Sequence, residues 1–300
     1  MTEPIRVALI GLDTSHTMAY AELMNAPDVA PERHVDGLRA TRCLRFSTPF
    51  QSEPDLDARQ KQLEGWGIQV TTDFDAAVAD CDAIMLEIND PAFHVQYFLR
   101  VAALGKPVFV DKPLCATMAE ARTMLDAARR HGTTVMACSP VRSSPALLDA
   151  VAALPEPQNA YAYGALGGAP AGSSIVWYGC HTAELVQKAL GGGVSRVHAV
   201  ESPLGCVAVV EYSDGRQAVL ELGRPYNCFG GRLQRGAEVA PFTVDLGARF
   251  YPDALKEIRA FFRGGVNPAP IEVAVEVMAL LDGIERSLAA GGPVTVERIA

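Results

Sequence analysis

The chain has no run of about 18 apolar residues, the length a helix needs to cross a bilayer, so no membrane span is expected in its 300 residues. It has no excess of positive charge: 26 Lys and Arg stand against 35 Asp and Glu, a net charge of −9. That balance argues against a nucleic-acid groove or a surface for anionic lipid. No C-x-x-C pair occurs among the seven scattered cysteines, and their odd number forbids complete pairing within one chain. Reduced thiols and a cytoplasmic protein are therefore expected. The opening MTEPIRVALIG enters a strand at once and leaves no room for a signal peptide. With 49% hydrophobic and 20% charged residues, the chain is globular and long enough for two modest domains.

The first half alternates between short apolar strands and helices. Ile5–Ile10 reads as a strand and Thr14–Asn25 as a helix capped by Thr14 or Ser15. Arg42–Phe46, Ala83–Ile88, Pro107–Val110 and Thr133–Ala137 read as further strands, separated by helical stretches such as MAEARTMLDAARRHG. This spacing implies a parallel sheet covered on both faces. Near residue 150 the character changes. LPEPQNAYAYGALGGAPAGSS, rich in Pro, Gly and Ala, reads as a domain crossing or mobile loop. A helix at His181–Leu190 follows, then β-like runs with a hairpin signal at YSDGRQ. A closing helix places Val273, Val277, Leu280, Leu281, Ile284 and Leu288 on one face. The expected fold class is α/β. A parallel domain spans residues 1–145, and an α+β domain rich in antiparallel strands spans 146–300, its last helix free to pack back on the first.

In open α/β sheets the ligand sits beyond the carboxyl ends of the strands, so the residues just after each strand carry the functional reading. The first strand ends in Gly11-Leu12-Asp13-Thr14-Ser15-His16, where a dinucleotide site has G-x-G-x-x-G. Gly11 allows the tight turn that aims a helix N-terminus at a phosphate. Asp13 and His16 hold the places of the second and third glycines, and a carboxylate at Asp13 repels a diphosphate unless it points away, for instance as a cap for residues 15–16. The second strand ends in Ser47-Thr48 rather than a ribose-binding carboxylate. Arg42 and Arg45 nearby would tolerate a 2′-phosphate, and a plain solvated loop is the other reading. In VFVDKPL a buried strand runs straight into Asp111-Lys112-Pro113. A lysine held partly out of water is suited to proton transfer, and Lys112 is the leading catalytic candidate. In WYGCHTAEL, His181 opens a helix, where a histidine tends to stay neutral and to hydrogen bond a substrate oxygen. A metal site at Cys180, His181 and Glu184 is disfavoured because adjacent side chains diverge. No metal is expected.

These segments resemble the glucose–fructose oxidoreductase / inositol dehydrogenase / MocA (Gfo/Idh/MocA) family. GKPVFVDKPLCATMAEARTMLDAARRHGTTVMACSPVRSSP follows the family's strand, E-K-P signature, helix, strand and arginine in order, and YPDALKEIRAFF to GGPVTV matches its closing segment. The resemblance implies a Rossmann domain, a second domain with an open, largely antiparallel sheet, NAD or NADP, and a small polyol, sugar derivative or cyclic carbonyl as substrate. Lys112 takes the place of the E-K-P lysine, and Asp111 replaces its glutamate. Asn89 and His94, in NDPAFH, fall in the family's T-P-N-x-x-H stretch on the nicotinamide side. His181 matches the histidine of D-x-G-x-H, whose catalytic aspartate falls on Trp177. Gly11 through His16, Ser47, Asn89, His94 and Asp111 are thus the cofactor candidates, with Lys112 and His181 catalytic and Arg142, Trp177 and Tyr178 facing substrate. The changed loop, the missing ribose carboxylate and Trp177 leave three readings: hydride transfer with Lys112 as proton donor; a lyase, hydratase or isomerase that has lost the dinucleotide; and a non-catalytic ligand-binding protein. The open second sheet predicts a homodimer or larger even oligomer.

Overall fold

The structure, a computed structural model, describes residues 3–297. Its first sheet collects β1 (Ile5–Ile10), β2 (Leu38–Leu44), β3 (Gln69–Thr71), β4 (Ala83–Leu86), β5 (Val108–Asp111) and β6 (Val135–Cys138). Between them run α1 (Ser15–Asn25), α2 (Glu53–Gly65), α3 (Phe74–Val78), α4 (His94–Ala102) and α5 (Met118–His131). All pairs are parallel, in the order β3-β2-β1-β4-β5-β6. The central strands AIML and VFVD are buried at every residue, as strands covered on both faces must be. The order reverses between β1 and β4, which opens a crevice at their carboxyl ends. Helix α5 shows how locally the chain is specified: Thr117 and Glu120 close a capping box, and Gly132 ends the helix at φ +63°.

The second half holds α6 (Pro145–Ala153), β7 (Asn159–Ala165), α7 (Ser174–Trp177), α8 (Gly179–Leu190), β8 (Val194–Ser202), β9 (Gly205–Tyr212), β10 (Gln217–Gly223), β11 (Gly230–Arg235) and β12 (Glu238–Thr243). After them come α9 (Phe250–Phe262), α10 (Ile271–Ala290) and β13 (Val294–Thr295). The sheet order is β12-β11-β7-β10-β9-β8-β13, antiparallel except at β7–β10. Helix α8 covers β7 and β10, and α10 covers β8 while also packing on α5 and β6. Helix α9 lies against α1, so the chain does return to its first sheet.

Two expectations are corrected. The stretch read as a crossing or mobile loop contains β7, a central strand. Its small residues are needed because α8 lies close: a Cβ on Gly164 would stand 2.2 Å from Thr182 Oγ1 and 2.5 Å from the Phe229 ring. The second strand begins earlier than Arg42–Phe46, at Leu38, and releases Arg45 and Phe46 into the loop beyond it.

Candidate active site

Gly11 closes β1 with φ +112°, and a Cβ there would lie 2.1 Å from the Glu87 carbonyl oxygen, so only glycine fits. Thr14 caps α1, its hydroxyl accepting from His16 N at 3.2 Å. Asp13 does not cap the helix. Its carboxylate, only 1% exposed, reaches across the crevice. One oxygen accepts from Asn89 N at 2.9 Å; the other accepts from Thr48 Oγ1 at 2.8 Å and Asp90 N at 3.3 Å. A single side chain thus ties together the ends of β1, β2 and β4. Arg59 on α2 donates to the Leu12 carbonyl at 2.9 Å.

Beyond the end of β2 three aromatic rings pack together. Phe46 stacks on Tyr97 and Phe93 with centroids 4.5 and 5.7 Å apart. The hydroxyl and arginines read as possible ribose and phosphate contacts have other partners. Ser47 donates to Glu53, Arg45 pairs with Glu53 and Asp57, and Arg42 pairs with Asp80.

At the end of β5, Asp111 Oδ2 lies 2.8 Å from His16 Nδ1. Burial is the largest influence on Asp111 and pushes its carboxyl up, yet His16 and Lys112 together hold it below the ordinary value. Beside it is Glu87, wholly buried; burial and the charge of Asp111 drive its carboxyl well above the usual range. Lys112, only 5% exposed, borders this cluster, and its charge is felt at His181.

His181 sits in the first turn of α8 and shares a 2.6 Å hydrogen bond with Ser139 Oγ. Its ring packs against Tyr178 and Phe229 at 5.0 and 5.2 Å. Burial first, then the charges of Lys112 and His16, hold it well below the usual histidine value. Trp177 Nε1 donates to the Asn89 side chain at 2.9 Å, and its ring lies 5.6 Å from Phe50 and 5.0 Å from Tyr178. This forms a wall from the second domain over the crevice.

The structure therefore brings Asp13, His16, Asn89, Asp111, Lys112, Trp177, Tyr178 and His181 together at the carboxyl ends of β1, β4 and β5. Four candidates stand elsewhere, Ser47 on Glu53 among them. Arg142 is buried against α8, paired with Glu184 at 3.1 Å and donating to Gln187 at 2.7 Å, so it supports the helix that carries His181. His94 is fully buried with its ring nitrogens facing the Ile88 and Leu114 carbonyls at 2.7 and 3.1 Å, a clamp between strand ends. Ser15 is exposed. Sequence reasoning missed Glu87, Tyr20 and Tyr251, and it read Thr48 as a ribose-side hydroxyl rather than the partner of Asp13. The one available signal was a carboxylate ending the otherwise apolar strand AIMLE.

No curated protein is a significant sequence match to the chain. Residues 5–138 match the sequence profile of the Gfo/Idh/MocA group, described as an oxidoreductase family with an NAD-binding Rossmann fold. Among solved structures, GenD2 of gentamicin A biosynthesis, in complex with NAD, is 17% identical over 99% of this chain and 98% of its own, with a TM-score of 0.79. Myo-inositol 2-dehydrogenase from Lactobacillus plantarum is 14% identical over 98% of this chain and 100% of its own, TM-score 0.78. Scyllo-inositol dehydrogenase from Lactobacillus casei, with bound NAD(H) and scyllo-inositol, is 14% identical over 98% and 99%, TM-score 0.78. At these identities the likeness establishes the fold. Residues 5–138 are thus similar to the Gfo/Idh/MocA oxidoreductase family, and over nearly its whole length the chain has the fold of the inositol dehydrogenases.

Proposed function

We propose that this protein moves protons on a small polyol, sugar derivative or cyclic carbonyl compound, with Lys112 as the acid–base group, and that it does so without a resident dinucleotide. The observation that carries the second half is the Asp13 carboxylate, held by two backbone amides and a hydroxyl across the crevice. NAD or NADP would supply hydride transfer if bound, but its diphosphate is an anion that must run over this loop. A buried carboxylate standing in this loop and fixed by the Asn89 and Asp90 amides, with Phe46 packed on Phe93 and Tyr97 nearby, does not fit that group.

The remaining residues suit isomerisation, dehydration or a lyase reaction. Lys112 takes or returns the proton. Neutral His181, fixed by Ser139, and Tyr178 orient substrate oxygens, and Trp177 supplies an apolar wall. Support for Lys112 is its position, nearly out of water at the end of a buried strand and facing His181. The wide outer face of the second sheet, with Val200 and Val209 exposed, supports a homodimer or larger even oligomer.

A second reading, hydride transfer with NAD or NADP, is favoured by the family match over residues 5–138 and requires Asp13 to release its three donors. Two measurements decide. Calorimetric titration with NAD(H) and NADP(H) should show no binding up to millimolar concentration; micromolar binding selects hydride transfer. A panel of polyols and ketoses incubated in deuterated water should gain deuterium at carbon with the wild-type protein. Lys112→Ala should lose about 10²–10⁴-fold of that rate. Exchange unaffected by the substitution removes Lys112 from the reaction.

A further inference from the structure

We propose that His16, Glu87 and Asp111 form a binding site for one divalent transition-metal cation of the Mn2+, Fe2+ or Zn2+ type at the carboxyl ends of β4 and β5. One ligand atom from each lies within 4.8 Å of the other two, and all three residues are buried. The donors come from the first turn of α1, the residue after β4 and the last residue of β5, so the reversal of strand order itself gathers them. Ligands held at about 2.0–2.2 Å by one ion stand at most about 4.4 Å apart, so small inward shifts complete the set.

Both carboxylate oxygens of Glu87, Asp111 Oδ1 and the Tyr20 hydroxyl are buried without any hydrogen-bond partner. Buried polar atoms are almost always satisfied, and two carboxylates side by side with open oxygens ask for a cation. Lys112 does not fill that role: the ion-pair partner of Asp111 is His16. An imidazole nitrogen with two carboxylates suits the transition metals rather than Mg2+ or Ca2+, which prefer oxygen alone. Lys112, next in the chain after Asp111, borders the cluster, and an ion held there would polarise a substrate hydroxyl or carbonyl oxygen. The sequence expectation of no metal placed His16 and Asp111 in a cofactor site and gave Glu87 no role. This site rests on the cluster alone, whichever reaction the cleft performs.

The test is chelator-treated full-length protein titrated with Mn2+, followed by loss of the free-ion EPR signal, and separately with Co2+, followed by visible absorbance. Mn2+ avoids the buried cysteines. The expected result is one Mn2+ per chain. Glu87→Gln and His16→Gln should each weaken it at least about 100-fold, since even residues outside the ligand set cost 10–100-fold. Circular dichroism melts establish that both variants fold. Absence of Mn2+ and Co2+ uptake at millimolar concentration overturns the site, as it would if Glu87 and Asp111 simply share a proton. Uptake unchanged in both folded variants also overturns it. If neither variant folds, the wild-type stoichiometry and the Co2+ spectrum decide: a ratio near one with oxygen and nitrogen ligation supports the site, and intense sulfur charge-transfer bands refute it.

Discussion

Replacing Asp13 with glycine restores, at one position, the loop of bare backbone that a diphosphate needs. In the wild-type chain the carboxylate accepts from Thr48 Oγ1, Asn89 N and Asp90 N at 2.8, 2.9 and 3.3 Å. Hydrogen bonds to a charged group contribute about 1.5–3 kcal/mol each. Counting the two short ones, and allowing water to reach the freed donors, the substitution should cost about 3 kcal/mol. For a chain of this size that is a fall of roughly 6–12 °C in Tm. Binding moves the other way. Two unit charges about 4 Å apart repel by about 4 kcal/mol at an effective dielectric of 20, which is roughly 10³ in affinity. The assay is calorimetry with NADH and NADPH against both proteins, with thermal melts alongside. The wild-type Kd should lie above about 1 mM and that of Asp13→Gly at least about 100-fold lower. Micromolar binding by the wild-type protein refutes the reasoning. So does a folded variant with no gain, because the carboxylate would then not be what keeps the diphosphate out.

His181 is held well below the ordinary histidine value by burial, Lys112 and His16. The unfolded chain takes up this proton near pH 6.5 and the folded chain does not, so this contribution to stability is complete above that pH and lost as pH falls. His181→Gln should flatten the decline in urea midpoint between about pH 7 and 5.5; parallel curves would contradict it. Arg6 donates to Asp82 from its backbone and guanidinium and lowers that carboxyl from 3.8 to about 2. Its contribution is present above the unfolded value and disappears as pH drops towards about 2, so Asp82→Asn should make the acid limb of the stability curve shallower over that window. Val209, 40% exposed on the outer face of the second sheet, should support association. Light scattering should show an even oligomer that Val209→Lys dissociates, and a wild-type monomer at micromolar concentration would count against it.

The alternation of apolar strands and capped helices made the first sheet legible, because each of its elements carries its own local signal. β7 was hidden for a physical reason: a strand under a close helix must be built from alanine and glycine, the residues that elsewhere mark loops. Its period of two survives in buried Ala160, Ala162 and Gly164 against the outward Tyr161 and Tyr163. Lys112 and His181 were legible as polar residues at element ends. The direction of the Asp13 side chain was not, since its partners lie 35, 76 and 77 residues away. Glu87 reads as core by pattern, and only the fold shows that its strand end faces Asp111 and His16.

An enzyme whose crevice is finished by its cofactor is stabilised by mass action whenever that cofactor is abundant. Here the amides at Asn89 and Asp90 already have a permanent tenant from the same chain. The edge of the sheet is therefore set at synthesis. Without a resident dinucleotide, as proposed above, the cell's nucleotide pool and its redox swings would have no handle on how much of this protein stays folded.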